Sequence, residues 1–160
     1  MSSESEVMTE LRGLIGRTTE PGIREVEFGA IRRYAEAVGN PNPLYHDVEY
    51  ARSSTYGEVI APPGFFGWMK KVSAGAIEVL GPVFAAVLNA GLVRILDAGI
   101  DYEFFLPVRA GDVLTWWAKF VDAAEREGKS GRMVFLTMEL SYMNQNGDLV
   151  AKVKQTFLAR

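Results

Sequence analysis

Apolar and polar residues alternate with a period of two through most of the second half of the chain, and that period is typical of β-strands. The pattern predicts four strands, over residues 99–105, 113–122, 134–142 and 149–158. Asn146-Gly147 is the strongest hairpin signal and predicts a two-residue turn before the last strand. Residues 126–131, charged and bracketed by glycines, predict a longer hairpin loop. We therefore expect an antiparallel meander of about four strands.

The first half of the chain follows the helical period of 3.6 residues. Residues 6–15 predict a short helix and residues 23–27 a short strand. Apolar residues at positions 28, 31, 35 and 38 form one helical stripe, and Gly39 stands where that helix should end. Asp47 is placed to cap another short helix. A long apolar segment from Phe65 to about Leu80 predicts a further helix, which begins just after two prolines.

Helices followed by an antiparallel sheet indicate an α+β fold. The sheet must cover its apolar face, so we expect a curved antiparallel sheet wrapped around the long central helix that starts at Phe65. An open sheet also has an edge to protect, and dimerisation through that edge or along the helix would protect it. The length of 160 residues fits a single domain, residues 1–160, with residues 1–20 as an N-terminal helical extension.

Composition narrows the range of functions. A formal net charge of -3 and a pI near 5.3 do not provide the basic surface that nucleic-acid binding requires. Cysteine is absent and histidine occurs once, so we expect neither disulfides nor a metal centre. Residues 72–93 are rich in small apolar residues, but Glu78 and the helix breaker Pro82 argue against a membrane span. The polar N-terminal residues do not read as a signal peptide, so the cytoplasm is the expected compartment.

Three segments of the chain resemble the MaoC-like hot-dog superfamily, which contains (R)-specific enoyl-thioester hydratases and 3-hydroxyacyl-thioester dehydratases. They are IRRYAEAVGNPNPLY at residues 31–45, GEVIAPP at residues 57–63 and PVRAGD at residues 107–112. The chain is most similar to the N-terminal dehydratase branch of that superfamily, from about Ile15 to Ala159. The resemblance implies a hot-dog fold that assembles as a double hot-dog dimer.

The catalytic loop of that superfamily reads Gly-Asp-x-Asn-Pro-(Leu/Ile)-His. By resemblance, its aspartate falls on Asn40 and its histidine on Tyr45. An asparagine amide can orient a water molecule but cannot accept a proton near neutral pH, and general acid–base catalysis of this type contributes about 10²–10⁴-fold. The superfamily also binds the thioester oxygen with a backbone N–H that falls on Pro63, and proline has no N–H. Gly64 could supply this donor if the loop shifts by one residue.

His46 lies one residue beyond the position of the superfamily's histidine. In one interpretation it is a general base, with Asn40 or Asn42 holding the water molecule. In the other, Tyr45 points inward while His46 faces solvent or caps the following turn, because adjacent residues of an extended loop point in opposite directions.

The resemblance places substrate contacts on the loop and at the start of the long helix. The candidate substrate-binding residues are Asn42, Pro63, Gly64, Phe65 and Phe66. The double proline at 62 and 63 either shapes the mouth of an acyl-binding tunnel or only starts a helix. Likewise, the run of small residues at 83–93 either makes room for a bulky acyl group or lets helices pack closely.

From the resemblance we expect the acyl-thioester-binding subunit of an enoyl-thioester hydratase or 3-hydroxyacyl-thioester dehydratase, paired with a hot-dog chain that retains the catalytic residues. The expected ligand is a coenzyme A or acyl-carrier-protein thioester, and no cofactor is needed to add or remove water. Two alternatives stay open. One is a self-sufficient homodimeric hydratase that uses His46, and the other is a non-enzymatic acyl-thioester binder or assembly partner.

Overall fold

The computed structural model describes residues 5–65, 74–129 and 131–160. Its helices are α1 (Glu6–Leu14), α2 (Phe28–Ala37), α3 (Val48–Ser53) and α4 (Ala74–Asn89), with a single-turn 3-10 helix at Pro43–Tyr45. As predicted, Gly39 follows α2 in the left-handed region (φ +66°), and the Asp47 carboxylate caps α3 by accepting a hydrogen bond from the Tyr50 N–H at 3.0 Å. None of the helices in the described ranges is long and apolar enough to cross a membrane.

Five antiparallel strands form one sheet. They are β1 (Gly22–Glu25), β2 (Ile95–Phe104), β3 (Val113–Gly128), β4 (Gly131–Met143) and β5 (Leu149–Ala159). The strand order is β1-β3-β4-β5-β2, so the prediction of a four-strand meander was wrong in one respect. Only β3, β4 and β5 follow one another, because β2 pairs with β5 at the far edge of the sheet.

The two hairpin loops have lengths opposite to those predicted. Strands β3 and β4 pair as far as Gly128 and Gly131, so residues 126–128 belong to β3 and the loop between the strands is short. The loop between β4 and β5 is longer because Asn144 organises it. Its side-chain oxygen accepts hydrogen bonds from the N–H groups of Asn146 and Asp148, and its carbonyl accepts one from the Gly147 N–H.

Buried side chains alternate along β3 and β4, as predicted, and form the apolar face of the sheet. They are Leu114, Trp116, Ala118 and Phe120 on β3, and Val134, Leu136, Met138, Leu140 and Tyr142 on β4. Helix α4 contributes buried Val83 and Val87 to the same core as Phe120. Contrary to expectation, α4 continues through Pro82 without interruption. Part of the run of small residues after Pro82 thus packs in the core, namely Val83, Ala86 and Val87.

Strand β2 is an edge strand with a bulge. Its register with β5 shifts between Asp97 and Gly99. The Asp97 carboxylate accepts hydrogen bonds from the Gly99 N–H at 3.3 Å and from the Gln155 amide at 2.8 Å, which fix the bulge. Three apolar side chains of β2 remain exposed, namely Leu96, Ile100 and Phe104. This edge therefore carries exposed apolar side chains beside the exposed Asp97, Asp101 and Glu103, and the bulge bends it at one point.

Candidate functional site

The loop that follows α2 is held by its own asparagines. The Asn40 side-chain oxygen accepts a hydrogen bond from the Asn42 N–H at 3.1 Å. In turn, the Asn42 side-chain oxygen accepts one from the Leu44 N–H at 3.0 Å, which caps the 3-10 helix. Both amide oxygens are therefore engaged in shaping the loop, and the adjacent prolines restrict it further.

Tyr45 and His46 leave this loop in opposite directions. Tyr45 is buried with 8% of its surface exposed, whereas His46 is exposed. His46 lines a surface depression of about 500 Å³ together with Asn40 and Arg32. The structure thus brings His46 and Asn40 together, as the general-base hypothesis requires, but it places Tyr45 against a different cavity.

The cavity at Tyr45 is small and mostly apolar. Its volume is about 340 Å³, and the described residues that line it are Tyr45, Tyr56, Ile60, Ala61, Pro62, Pro63, Phe104, Phe105, Leu106, Pro107 and Val108. Only the two tyrosines among them titrate. Burial, and then the neighbouring Tyr56, raise the pKa of Tyr45 above its ordinary value.

A short backbone pairing holds the two sides of this cavity together. The Ala61 N–H donates to the Val108 carbonyl at 2.7 Å, and the Ala110 N–H donates to the Val59 carbonyl at 2.9 Å. The turn that follows is fixed by the buried Asp112 carboxylate, which accepts hydrogen bonds from the Arg109 N–H at 2.8 Å and the Gln145 amide at 2.9 Å. Asp112 therefore has a structural role.

Pro63 belongs to the wall of this cavity, and Gly64 is the next residue along the chain. Pro63 is exposed, and Gly64 has a φ of +89°, a backbone conformation that other residues seldom adopt. Within the described parts of the chain, no acceptor is assigned to the Gly64 N–H, whereas the Phe65 N–H donates to the Pro62 carbonyl at 3.2 Å. A backbone N–H without an assigned acceptor among the described residues thus lies one residue beyond the proline that replaces the superfamily's donor.

Of the two phenylalanines predicted to contact substrate, only Phe65 is among the residues that the structure describes. Phe65 is buried in the core and packs edge-on against the Tyr34 ring, with 5.8 Å between the ring centroids. It is not among the residues that line the cavity at Tyr45. Phe66 lies outside the described residues.

Sequence analysis missed several residues at this site. Phe104, Phe105 and Leu106 line the cavity from the end of β2, and their signal was an apolar run that remains exposed just before Pro107. Tyr34, which lies in the segment at residues 31–45, contacts Phe65 and is not among the described residues that line this cavity. Among the described residues, no three His, Asp or Glu side chains come together in a group that could hold a metal ion.

Comparison with known protein families finds a match over most of the chain. Residues 13–153 match the family described as FAS1-like, dehydratase domain region. A UPF0336 protein from Thermobifida fusca (strain YX) is 31% identical over 140 residues, which make up 87% of this chain and 86% of that protein. The probable enoyl-CoA hydratase alpha subunit of Thermomonospora curvata is 30% identical over 156 residues, covering 88% of this chain and 48% of that protein. This chain therefore spans about half the length of that subunit.

Solved structures share the fold. One chain of the ChsH1-ChsH2 complex from Mycobacterium tuberculosis superposes with a TM-score of 0.80 at 19% identity, covering 96% of this chain and 88% of that chain. The MaoC-like dehydratase from Rhodospirillum rubrum superposes with a TM-score of 0.58 at 22% identity, covering 91% of each chain. These superpositions confirm the predicted α+β hot-dog fold.

Proposed function

This chain belongs to the FAS1-like dehydratase family, within the MaoC-like hot-dog superfamily, and from that membership we propose that it is one subunit of an (R)-specific enoyl-thioester hydratase or 3-hydroxyacyl-thioester dehydratase. Its ligand is a coenzyme A or acyl-carrier-protein thioester, and the reaction needs no cofactor. In the proposed complex this chain binds the acyl thioester. A second hot-dog chain supplies the acid and base.

The apolar cavity at Tyr45 carries this proposal. Cavities of a few hundred cubic ångströms with mostly apolar walls suit small hydrophobic ligands, and 340 Å³ accommodates part of an acyl group. Yet the described residues that line the cavity offer no base, since the raised pKa of Tyr45 keeps its phenol protonated at neutral pH. The side-chain oxygen of Asn40 is also occupied by the loop. These features support a role in binding the acyl group and favour a partner chain as the source of the acid and base.

The partner is proposed to dock along β2. One side of this strand pairs with β5, and the other side faces no strand among the described residues. The exposed apolar side chains Leu96, Ile100 and Phe104 give the edge a surface that favours burial. Phe104 also lines the cavity, so a chain docked on β2 would lie next to the bound acyl group.

A second candidate function is acyl-thioester binding without catalysis. It is favoured by the loop, in which both asparagine side-chain oxygens hold backbone N–H groups rather than a water molecule. In this case the chain would keep the fold of an enzyme and bind its ligand without converting it.

A hydratase assay with short and long enoyl-CoA substrates separates these possibilities. We expect no turnover by the purified chain and turnover after mixing with a hot-dog chain that carries the Gly-Asp-x-Asn-Pro-x-His loop. Binding without turnover in both conditions would favour the second candidate. Turnover by the chain alone, abolished by His46→Gln, would contradict the proposal and support a self-sufficient enzyme. Absence of both binding and turnover would refute every acyl-thioester function.

A further inference from the structure

The Tyr34 hydroxyl lies directly over Gly64. If Gly64 carried a side chain, its Cβ atom would lie 2.6 Å from the Tyr34 hydroxyl oxygen and 3.8 Å from the Cζ atom of the ring. The position of the ring is fixed by its edge-on contact with buried Phe65. Absence of a side chain at residue 64 is therefore what allows the phenol to approach the backbone so closely.

This phenol is available to a ligand. No hydrogen-bond partner is assigned to the Tyr34 hydroxyl in the described parts of the chain, and no side-chain oxygen described there is both buried and unpartnered. The hydroxyl therefore reaches solvent or an incoming molecule. The Gly64 N–H beside it is a second donor without an assigned acceptor among the described residues.

The Tyr34 hydroxyl and the Gly64 N–H, neither with an assigned partner among the described residues, are donors of the kind that bind a negatively polarised oxygen. Backbone N–H groups and tyrosine hydroxyls both serve as donors where charge develops on a carbonyl oxygen. The position that precedes them, Pro63, lacks the N–H that the superfamily uses. A donor from a side chain would make up for this loss.

We propose that Tyr34 is a substrate-binding residue whose hydroxyl, together with the Gly64 N–H, holds the carbonyl oxygen of the thioester. This inference rests on the proposed function, because it assumes an acyl thioester as ligand. It assigns the oxygen site to this chain, including when the acid and base come from the partner. Tyr34 donates a hydrogen bond only, and no proton is transferred.

The test compares two ligands that differ only at the carbonyl. Butyryl-CoA carries the thioester oxygen, and S-butyl-CoA is the thioether without it. The purified wild-type chain should bind butyryl-CoA more tightly than S-butyl-CoA by about fivefold or more, the value of one hydrogen bond. Tyr34→Phe should reduce that ratio to near one while leaving the affinity for S-butyl-CoA unchanged. Tyr50→Phe, which alters an exposed tyrosine on α3, is the matched control.

A spectroscopic measurement excludes a purely structural role. The carbonyl stretch of bound, isotope-labelled butyryl-CoA should shift to lower frequency in the wild type, and this shift should shrink in Tyr34→Phe. An unchanged ligand ratio and an unchanged stretch in Tyr34→Phe would overturn the inference while leaving the proposed function intact. Failure of the wild type to bind either ligand would overturn both.

Discussion

The Tyr34 hydroxyl and the α-carbon of Gly64 are packed so closely that a methyl group on residue 64 would lie 2.6 Å from the hydroxyl oxygen. The two residues come from separate elements, Tyr34 from α2 and Gly64 from the turn after the double proline. Their contact joins helix α2, which precedes the loop, to the turn that precedes Phe65.

This contact predicts a coupled effect on stability. Gly64→Ala should lower the free energy of unfolding by roughly 1–3 kcal/mol, because alanine resists the φ of +89° and its methyl group meets the Tyr34 hydroxyl. Tyr34→Phe removes the hydroxyl, so in that background Gly64→Ala should cost less by about 0.5 kcal/mol or more. Urea unfolding of the four proteins measures the coupling. Effects that add within about 0.3 kcal/mol would contradict the contact.

The loop after α2 should depend on the Asn42 side-chain oxygen. Asn42→Ala removes the acceptor for the Leu44 N–H and should lower the free energy of unfolding by roughly 0.5–2 kcal/mol. Asn42→Asp keeps an acceptor at the same position and should stay within about 0.5 kcal/mol of the wild type. Chemical unfolding of both variants provides the measurement. Equal losses in the two variants would show that the side-chain nitrogen matters instead.

Alkaline pH should destabilise the protein through Tyr142. Burial, supported by Tyr102 and opposed by Arg24, raises the pKa of Tyr142 above the ordinary value for tyrosine. The unfolded chain therefore loses this proton from about pH 10, while the folded chain still holds it. The contribution of Tyr142 to the free energy of unfolding is fully present below that pH, and it is lost as the pH rises through the raised pKa of the folded state. Up to about 1.4 kcal/mol per pH unit is lost for this one group.

The measurement for Tyr142 is the slope of unfolding free energy between about pH 8 and about pH 11. Tyr142→Phe should flatten that slope, whatever it does to stability at neutral pH. Tyr50→Phe removes an exposed tyrosine and should leave the slope as it is in the wild type. If Tyr142→Phe leaves the slope unchanged, groups other than Tyr142 cause the loss of stability at alkaline pH.

The two edges of the sheet offer a matched test of assembly. Ile100 on β2 and Ile23 on β1 are both exposed, at 38% and 75% of their surface. Ile100→Lys should abolish association, because it places a charge in the proposed interface, whereas Ile23→Lys should leave association intact. Analytical ultracentrifugation, with the chain alone and with a partner chain, measures the result. If only Ile23→Lys caused dissociation, the interface would lie on β1 and not on β2.

The sequence predicted the sheet well where one face is buried. The alternation in β3 and β4 was enough to predict which side chains face the core. The inward residues are apolar, and a shift of the strand by one residue would expose them to solvent. The prediction failed for strand order and hairpin length. Pairing of β2 with β5 depends on contacts distant in sequence, and the β4–β5 loop depends on a side chain, Asn144, whose hydrogen bonds outweigh the local Asn-Gly preference.

The candidate site was predictable only in part. The sequence predicted different environments for Tyr45 and His46 from the geometry of an extended loop. The structure shows the two side chains in different environments, although Tyr45 ends a 3-10 helix rather than lying in an extended segment. The position of Tyr34 could not be foreseen. It depends on the packing of α2 against the turn at Gly64, and no spacing along the chain records that contact.

The bulge at Asp97 and Gly99 has a consequence for how many copies can join. A flat, exposed strand could recruit one molecule after another and grow into a fibre, whereas an edge bent by a bulge near its start pairs best with a strand of matching curvature. Once two such strands have paired, neither offers this edge again. In the proposed assembly, the bulge would therefore favour one pair of matching β2 strands over open-ended growth along this edge.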